Sequence, residues 1–573
     1  KKMAKAASAD GEETVVLQGE EPGASQHSML VAGDSYEELD YDLSVDENQV
    51  RRRLKSGTIA EIVENDDPRI EVPVGKLVDL QPEVFEDIPQ GDGADNVDRV
   101  NELISEVNEL SLSQGAEERV QENDLNREKE ASAPAGTEEE EIRIRSGSMV
   151  DRVEHTERDQ VVEDIYSTEW KQQKKHVFVF SDAGKPIYSR YGKEDKLNPL
   201  MGVMLTLVSL VGIEKNTLRS FRAGNHLYVF LLRQPLILVA VSKTKESQQQ
   251  LLMQLTYVYN HIISVLTYSQ LSSIFKRRDN YDLRKLLGGT EIFLDNLIEL
   301  MDRDPCFLLT AIRCLPLDSA IRDMIGSAMH SAKVKDLVFA ILIADNQLVT
   351  LVRMKKYILH PADLHLVLNL LNKSTSFKHS DSWLPICLPK FDSSGFLHAH
   401  ISYLAESPAC LVLLTVDKMA FAEMAKCKEK ILEKLQKNNC IAAIQRAVSK
   451  GSFRCQEVGI SDLRHFLYKS RSTAQYTAPE LDAPYTQPDE RDRLLSLYQY
   501  THQRVHSPSR PLKIMFTVGS KEAVLGWVTG GFELFAIFGP LTTKQAAIFA
   551  VNKLLKWIKK EETRLFILNP PEY

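Results

Sequence analysis

Few residues in this chain stand in patterns that make or break bonds. Ala183-Gly184-Lys185 has the ending of a phosphate-binding loop. Such a loop needs a glycine five positions before the second one, and Ser or Thr after the lysine, so that backbone amides and a hydroxyl close around phosphate and metal. Here those positions hold Val179 and Pro186, so the segment reads as a hairpin turn. His398 and His400 alternate on a predicted strand and share one face, but no third metal ligand stands near them. His360 and His365 are five apart and miss the i, i+4 spacing of a zinc-binding helix. Both pairs are read as packing or surface histidines, with no metal. No G-x-S-x-G elbow or H-E-x-x-H motif occurs. Cys306 and Cys314 flank an apolar stretch before Pro316 and read as buried structural thiols. The chain is therefore expected to carry no catalytic residue of its own and no cofactor.

Charge points elsewhere. Residues 1–170 hold 17 Lys and Arg against 44 Asp and Glu, a net −27, which leaves +17 on residues 171–573. Lys276, Arg277 and Arg278 form one basic cluster, followed by Arg284-Lys285, and Lys553, Lys556, Lys559 and Lys560 another on a predicted terminal helix. Basic clusters on a basic body suit an anionic membrane surface. Nucleic acid is disfavoured, because no recognition motif or aromatic-basic stacking pattern accompanies the charge. The longest apolar span, Leu200 to Ile213, is shorter than the roughly 20 residues that cross a bilayer, so membrane contact is expected to be peripheral. The start at Lys1-Lys2-Met3-Ala4 lacks the apolar run of a secretory leader. All seven cysteines lie after residue 305, in odd number and without a C-x-x-C pair, which suggests a reducing compartment.

The elements that position these residues recur three times in one order: two strands, a helix, three strands, a helix. In the first copy a hairpin (His176 to Phe180, Ile187 to Tyr191) precedes a helix whose apolar stripe includes Leu197, Leu200, Met201, Met204, Leu205, Val208 and Val211. Strands at Leu218 to Arg222, Leu227 to Leu232 and Leu236 to Val241 follow, then a helix with Leu251, Leu255, Val258, Ile262 and Leu266 in line. The second copy begins at Leu337, with Pro361 opening its first helix at a position where a missing N–H costs nothing. The third begins near Leu463 and ends in a helix for which Thr542 and Gln545 have capping-box spacing. The fold class is α/β of the α+β kind: three ββαβββα domains, each an antiparallel sheet with flanking helices, at residues 171–300, 301–445 and 446–573. Residues 1–170 read as a disordered acidic tail, too poor in apolar residues to offset its ordering entropy; within it Val97 to Leu112 has helical spacing. Tethered beside a basic body, the tail is expected to restrain activity rather than add to the fold.

The run from His176 to Gly192 (HVFVFSDAGKPIYSRYG) with Met201-Gly202-Val203-Met204 resembles the signature of the SAND, or Mon-one, family. Asn280-Tyr281-Asp282-Leu283-Arg284, Cys314-Leu315-Pro316-Leu317, Cys387-Leu388-Pro389-Lys390-Phe391, His398-Ala399-His400-Ile401, Leu463 to Lys469 and Lys559-Lys560-Glu561-Glu562 resemble further blocks of that family, in order to the C-terminus. The resemblance implies three longin domains and one half of a Mon–Ccz heterodimer formed through the first of them, with a third subunit in animals. It implies guanine nucleotide exchange on the late-endosomal GTPase Rab-seven, and recruitment by Rab-five and phosphatidylinositol 3-phosphate. The expected location is cytoplasmic, at the surface of endosomes, late endosomes and lysosomes or vacuoles. Exchange makes no bond; it needs tighter binding to the nucleotide-free GTPase than to the loaded one. The platform is expected on the 197–214 helix (Leu200, Val203, Met204, Leu207) and the adjoining hairpin (Lys185, Pro186, Tyr188, Arg190, Tyr191), because that helix is apolar on more than one side and must be covered. The alternative is a longin-type trafficking adaptor or coat subunit without exchange activity, which fold alone does not separate.

Overall fold

The computed structural model describes residues 6–7, 13–16 and 167–573. The expected order is present three times. In the first domain the sheet runs Pro186–Ser189, Lys175–Ser181, Leu236–Ser242, His226–Arg233, Ser220–Ala223, antiparallel throughout. The second domain repeats this arrangement with Gln347–Arg353, Leu337–Ala344, Ala409–Thr415, Asp392–Tyr403 and Ser382–Leu388. The third repeats it with Gln475–Thr477, Leu463–Ser470, Phe532–Phe538, Ala523–Val528 and Ile514–Val518. In each domain the opening strand ends up inside the sheet, paired to the strand that comes last in sequence. That is why Val177 to Phe180 and Leu337–Ala344 read as unbroken apolar runs: all seven residues of Lys175–Ser181 and all eight of Leu337–Ala344 are buried, with layers on both faces.

The period of two assigns those layers. Phe178 and Phe180 face the helix Asn198–Ile213 with Phe230, Ile237 and Val239, whereas Val177 and Val179 face the helix Gln248–Leu266 with Val229, Leu238 and Ala240. Ser247 caps the latter helix in a closed capping box with Gln250.

Three expectations are corrected. The third strand of the first domain starts at Ser220 rather than Leu218. The terminal helix, Lys544–Leu565, is capped by Thr543, whose side chain accepts from the Ala546 amide; Thr542 lies one residue outside, its own amide bonded to the Gly539 carbonyl. The acidic segment also contributes a strand: Glu13–Val16 pairs antiparallel with Ile514–Val518, adding the β-branched run Thr-Val-Val to that sheet edge. The rest of residues 1–166, including the helical spacing at 97–112, lies outside the described residues.

Between the first two domains stand the helices Tyr268–Arg277, Glu291–Arg303 and Pro305–Leu309, which extend the first domain's core, and Ser319–Ser331, whose Ile325, Ala328 and Met329 pack in the core of the second. That core reaches Leu366 of the second domain and Leu494, Tyr498 and Phe535 of the third, so the three sheets share apolar contacts around the helix Gln248–Leu266. Buried polar groups fix the packing. Tyr257 donates to His365 Nδ1 at 2.8 Å, and His365 Nε2 donates to the Ala311 carbonyl at 3.1 Å. Gln250 donates to the Gln499 carbonyl at 2.9 Å, and the Arg322 guanidinium to those of Val349, Leu315 and Arg564.

Candidate partner-binding surface

The first helix of each domain occupies the same place in the ββαβββα order, and the three have different neighbours. Pro361–Lys373, in the second domain, is buried almost all round: Leu364, Val367, Leu368 and Leu371 meet its own sheet, while Ala362 and Leu366 meet the first domain's core. On that side Asn369 exchanges hydrogen bonds with Asn296 (2.7 Å) and the Phe293 carbonyl (2.9 Å). Pro488–Val505, in the third domain, carries Asp, Glu and Arg on its outer side and sets Leu494 and Tyr498 against the shared core. Asn198–Ile213, in the first domain, has no charged residue in its 16 positions. Met201, Met204 and Leu207 are buried on the sheet; Leu200, Val203, Leu210 and Val211 are half-buried, and Ile213 is 78% exposed. An apolar outer side on a helix is stable in a protein only where something covers it.

The hairpin beside this helix closes at Gly184, whose φ of +80° is in the region that suits glycine, and a Cβ there would stand 3.1 Å from the Leu205 side chain. The hairpin turn thus packs on the helix at Leu205. Turn and helix enclose, with Asn280, Asp282 and Arg284, a polar cleft of about 370 Å³. Lys185 lies on its rim, and its Nζ donates to the Asn280 carbonyl at 2.7 Å.

The structure divides the expected platform residues into two groups. Lys185, Leu200, Val203 and Tyr191 have accessible surface, whereas Pro186, Tyr188, Met204 and Leu207 are buried. The buried four support the surface from beneath and do not form it. Tyr188 donates to Asp295 Oδ1 at 2.5 Å, with its phenol held far above its ordinary pKa, first by burial and then by that carboxylate. Arg190 belongs to an internal cluster. Its Nη1 lies 3.0 Å from Asp302 Oδ2, and Lys175, 3% exposed, reaches Asp302 (2.6 Å), Glu246 (2.9 Å) and Gln254 (2.7 Å). Burial alone would raise the Asp302 carboxyl; the two cations outweigh it and hold the group below its ordinary value.

Lys276, Arg277 and Arg278 are exposed at the end of the helix Tyr268–Arg277, where the arginines line a groove of about 650 Å³ with Ser273, Ile274 and Tyr281. On the terminal helix Lys553, Lys556, Lys559 and Lys560 are exposed too, but Lys553 donates to the Gly459 carbonyl and Lys559 pairs with Glu562 at 3.2 Å. The two clusters lie on different domains. Among the described residues no helix is long and apolar enough to cross a membrane.

The histidine pairs weighed for metal have structural surroundings. His360 caps its helix, accepting from the Ala362 amide; His398 stacks on Trp383; His400 is fully buried, 3.5 Å from Asp381. Every cysteine is free and buried, and burial raises the thiols of Cys306 and Cys314, the latter to about 11.

Three sheets share one five-strand order, the third extended by Ala6–Ala7 and Glu13–Val16 at one edge and by Ile312–Arg313 at the other; with a helix between the second and third strands of each and another at its end, they define a triple longin-domain protein. Family profiles for the first, second and third longin domains of FUZ, MON1 and HPS1 match residues 175–297, 335–433 and 462–562. Vacuolar fusion protein MON1 homolog A of Gallus gallus is 49% identical over 442 residues, 76% of this chain and 80% of its own length. Protein SAND of Takifugu rubripes is 50% identical over 412 residues (72% and 79%), and MON1 homolog B of Homo sapiens 42% over 425 (71% and 78%). The chain belongs to the MON1/SAND family.

Proposed function

We propose that this chain is a membrane-trafficking subunit that works as part of a guanine nucleotide exchange factor for the late-endosomal Rab GTPase, Rab-seven. The observation that carries the reading is the helix Asn198–Ile213, the one first-position helix of the three whose outer side is uncharged, with Val203, Leu210 and Ile213 beside the exposed hydroxyls of Thr206 and Ser209. The relatives' name, vacuolar fusion protein, supports a role in fusion at vacuolar or endosomal membranes.

In this reading the first domain joins a Ccz subunit, and the combined surface takes the GTPase. Ser220–Ala223 lies at the far edge of the same sheet, bonded on one side only among the described strands, and offers backbone groups for that assembly. Release of nucleotide needs no acid, base or nucleophile from the chain. The surface has to prefer the empty GTPase, and the preference in binding free energy equals the shift it drives. Rab-five and phosphatidylinositol 3-phosphate bring the complex to the endosome, with Lys276, Arg277 and Arg278 adding contact to anionic lipid. A third subunit docks elsewhere on the body.

The test is release of labelled guanine nucleotide from a panel of Rab GTPases, with this chain alone, the presumed partner alone, and both together. Faster release from Rab-seven only with both chains is the expected result. Binding to Rab GTPases without accelerated release from any of them would leave a trafficking adaptor and overturn exchange.

A further inference from the structure

The helix Pro488–Val505 and its cap bring two histidines, His502 and His506, over one carboxylate, Glu533, on the strand Phe532–Phe538. The spacing is i, i+4, so both imidazoles leave the same side of the helix; their ring centres are 4.3 Å apart. His506 Nε2 lies 3.2 Å from Glu533 Oε2. One donor atom from each of the three residues can be chosen so that all lie within 4.8 Å of one another. The helix sits this low on the sheet because of Gly526: a Cβ there would come within 2.7 Å of Thr501 and 3.3 Å of Val505.

We infer that His502, His506 and Glu533 form a site for a divalent transition-metal ion of the zinc class, with a fourth position open to water or to a partner's side chain. Two imidazoles and one carboxylate are a donor set that zinc takes, with bonds of about 2.0–2.2 Å. Tetrahedral bonds of that length put donors roughly 3.3 Å apart, a closure within reach of imidazole rotation.

The other charged groups facing the site act on the far oxygen of the carboxylate. Lys469 Nζ is 3.1 Å and Arg471 Nε 3.7 Å from Glu533 Oε1, an orienting outer shell that leaves Oε2 toward the histidines while its charge moderates affinity. The helix C-terminus contributes in the opposite sense, since its unpaired carbonyls favour a cation. None of the family's longin topology requires this set. A bound ion would clamp the last turn of the helix to the sheet.

The test uses the full chain, stripped with chelator and titrated with zinc against a chromophoric competitor. One equivalent per chain is expected, and His502→Asn, His506→Gln and Glu533→Gln should each weaken it by at least the roughly 10–100-fold that loss of an outer-shell contact costs. His398→Gln, on another domain, should bind as the parent does. Cobalt gives a readout that needs no variant: a tetrahedral visible spectrum lacking a thiolate charge-transfer band supports the site, since all seven cysteines are buried elsewhere. Absence of stoichiometric zinc, a thiolate band, or affinity unchanged in folded His506→Gln would each overturn it.

Discussion

Placing a carboxylate on the outer side of the helix Asn198–Ile213 should separate assembly from folding. Val203 is half-buried in the free chain, and Met204, one position on, is 2% exposed. Fully burying a valine or leucine side chain is worth roughly 1.5–3 kcal/mol, so the exposed half of Val203 leaves about 1 kcal/mol for a partner to gain. Val203→Glu forfeits that and strands a carboxylate in an apolar contact. An unpaired polar group costs about 1–3 kcal/mol and a charged one more. A total of about 3–4 kcal/mol weakens the partner complex by roughly 100- to 1,000-fold, at 1.4 kcal/mol per decade. In the free chain the same carboxylate reaches water, so thermal stability should barely change. Met204→Glu is the contrast: it buries the charge against Phe178, Phe180 and Phe230 and should unfold the domain. Binding would be followed by titration of labelled partner, with melting of each free chain in parallel. Full affinity in both Val203→Glu and Leu210→Glu would refute the reasoning, because it would mean this side of the helix meets nothing.

Lys174 and Lys175 offer a paired comparison, since Lys175 is buried among Glu246, Asp302 and Gln254 whereas Lys174 is 81% exposed and 3.4 Å from a half-exposed Asp492. Lys175→Met should cost about 3–5 kcal/mol by leaving buried carboxylates unpaired, and Lys174→Met at most about 1 kcal/mol; equal melting temperatures for the two variants would contradict this. Acid should loosen the junction between domains: burial lowers His365 to about 4, so below pH 6.5 the unfolded chain takes up the proton first and stability falls as pH drops toward 4. At pH 5 this one residue accounts for about 2 kcal/mol, and His365→Gln should narrow the difference in melting between pH 7.5 and pH 5 by that contribution. Reversing the charge of Lys276, Arg277 and Arg278 should reduce sedimentation with acidic liposomes by roughly 1 kcal/mol per residue, an effect that fades as salt rises; unchanged sedimentation would move the contact elsewhere. Removing residues 1–165 should raise exchange on Rab-five-bearing liposomes at low salt, and equal rates at low and high salt would exclude a restraining tail.

What could be read in the sequence was what periodicity writes locally. The buried strand His176 to Phe180, the turn at Gly184 and Pro361 at its helix start are each set by neighbours within a few positions, and each stands where the pattern put it. Leu294, Leu297, Ile298 and Met301 have the same i, i+3, i+4, i+7 spacing, so the helix Glu291–Arg303 was legible but lay outside the repeat. Which side of a helix meets solvent was not written locally. Met204 and Val203 are equally apolar, and only the sheet's position decides that one supports the surface and the other forms it. His502 and His506 carry a visible i, i+4 signal; Glu533, 27 residues beyond His506, becomes their neighbour only through the close seat that Gly526 allows.

The three copies use one topology for different ends, and the difference follows from what stands beside the first helix. In the second domain that helix is walled in by Glu291–Arg303 and Gln248–Leu266, so polar residues survive on its far side only as matched pairs such as Asn369 with Asn296 and His365 with Tyr257. In the third, solvent on one side and the shared core on the other select an amphipathic sequence with Asp489, Glu490 and Arg493 outward and Leu494 and Tyr498 inward. The first domain is covered on its opposite face by its own long helix and by both other domains, which leaves Asn198–Ile213 facing away from the body with a sequence suited to neither water nor a charged rim. A chain that kept this helix for folding alone could replace Val203, Leu210 and Ile213 with polar residues at little cost, because they touch the sheet least. Retaining them makes physical sense where a second protein completes the layer, which is the role the proposed function gives this helix.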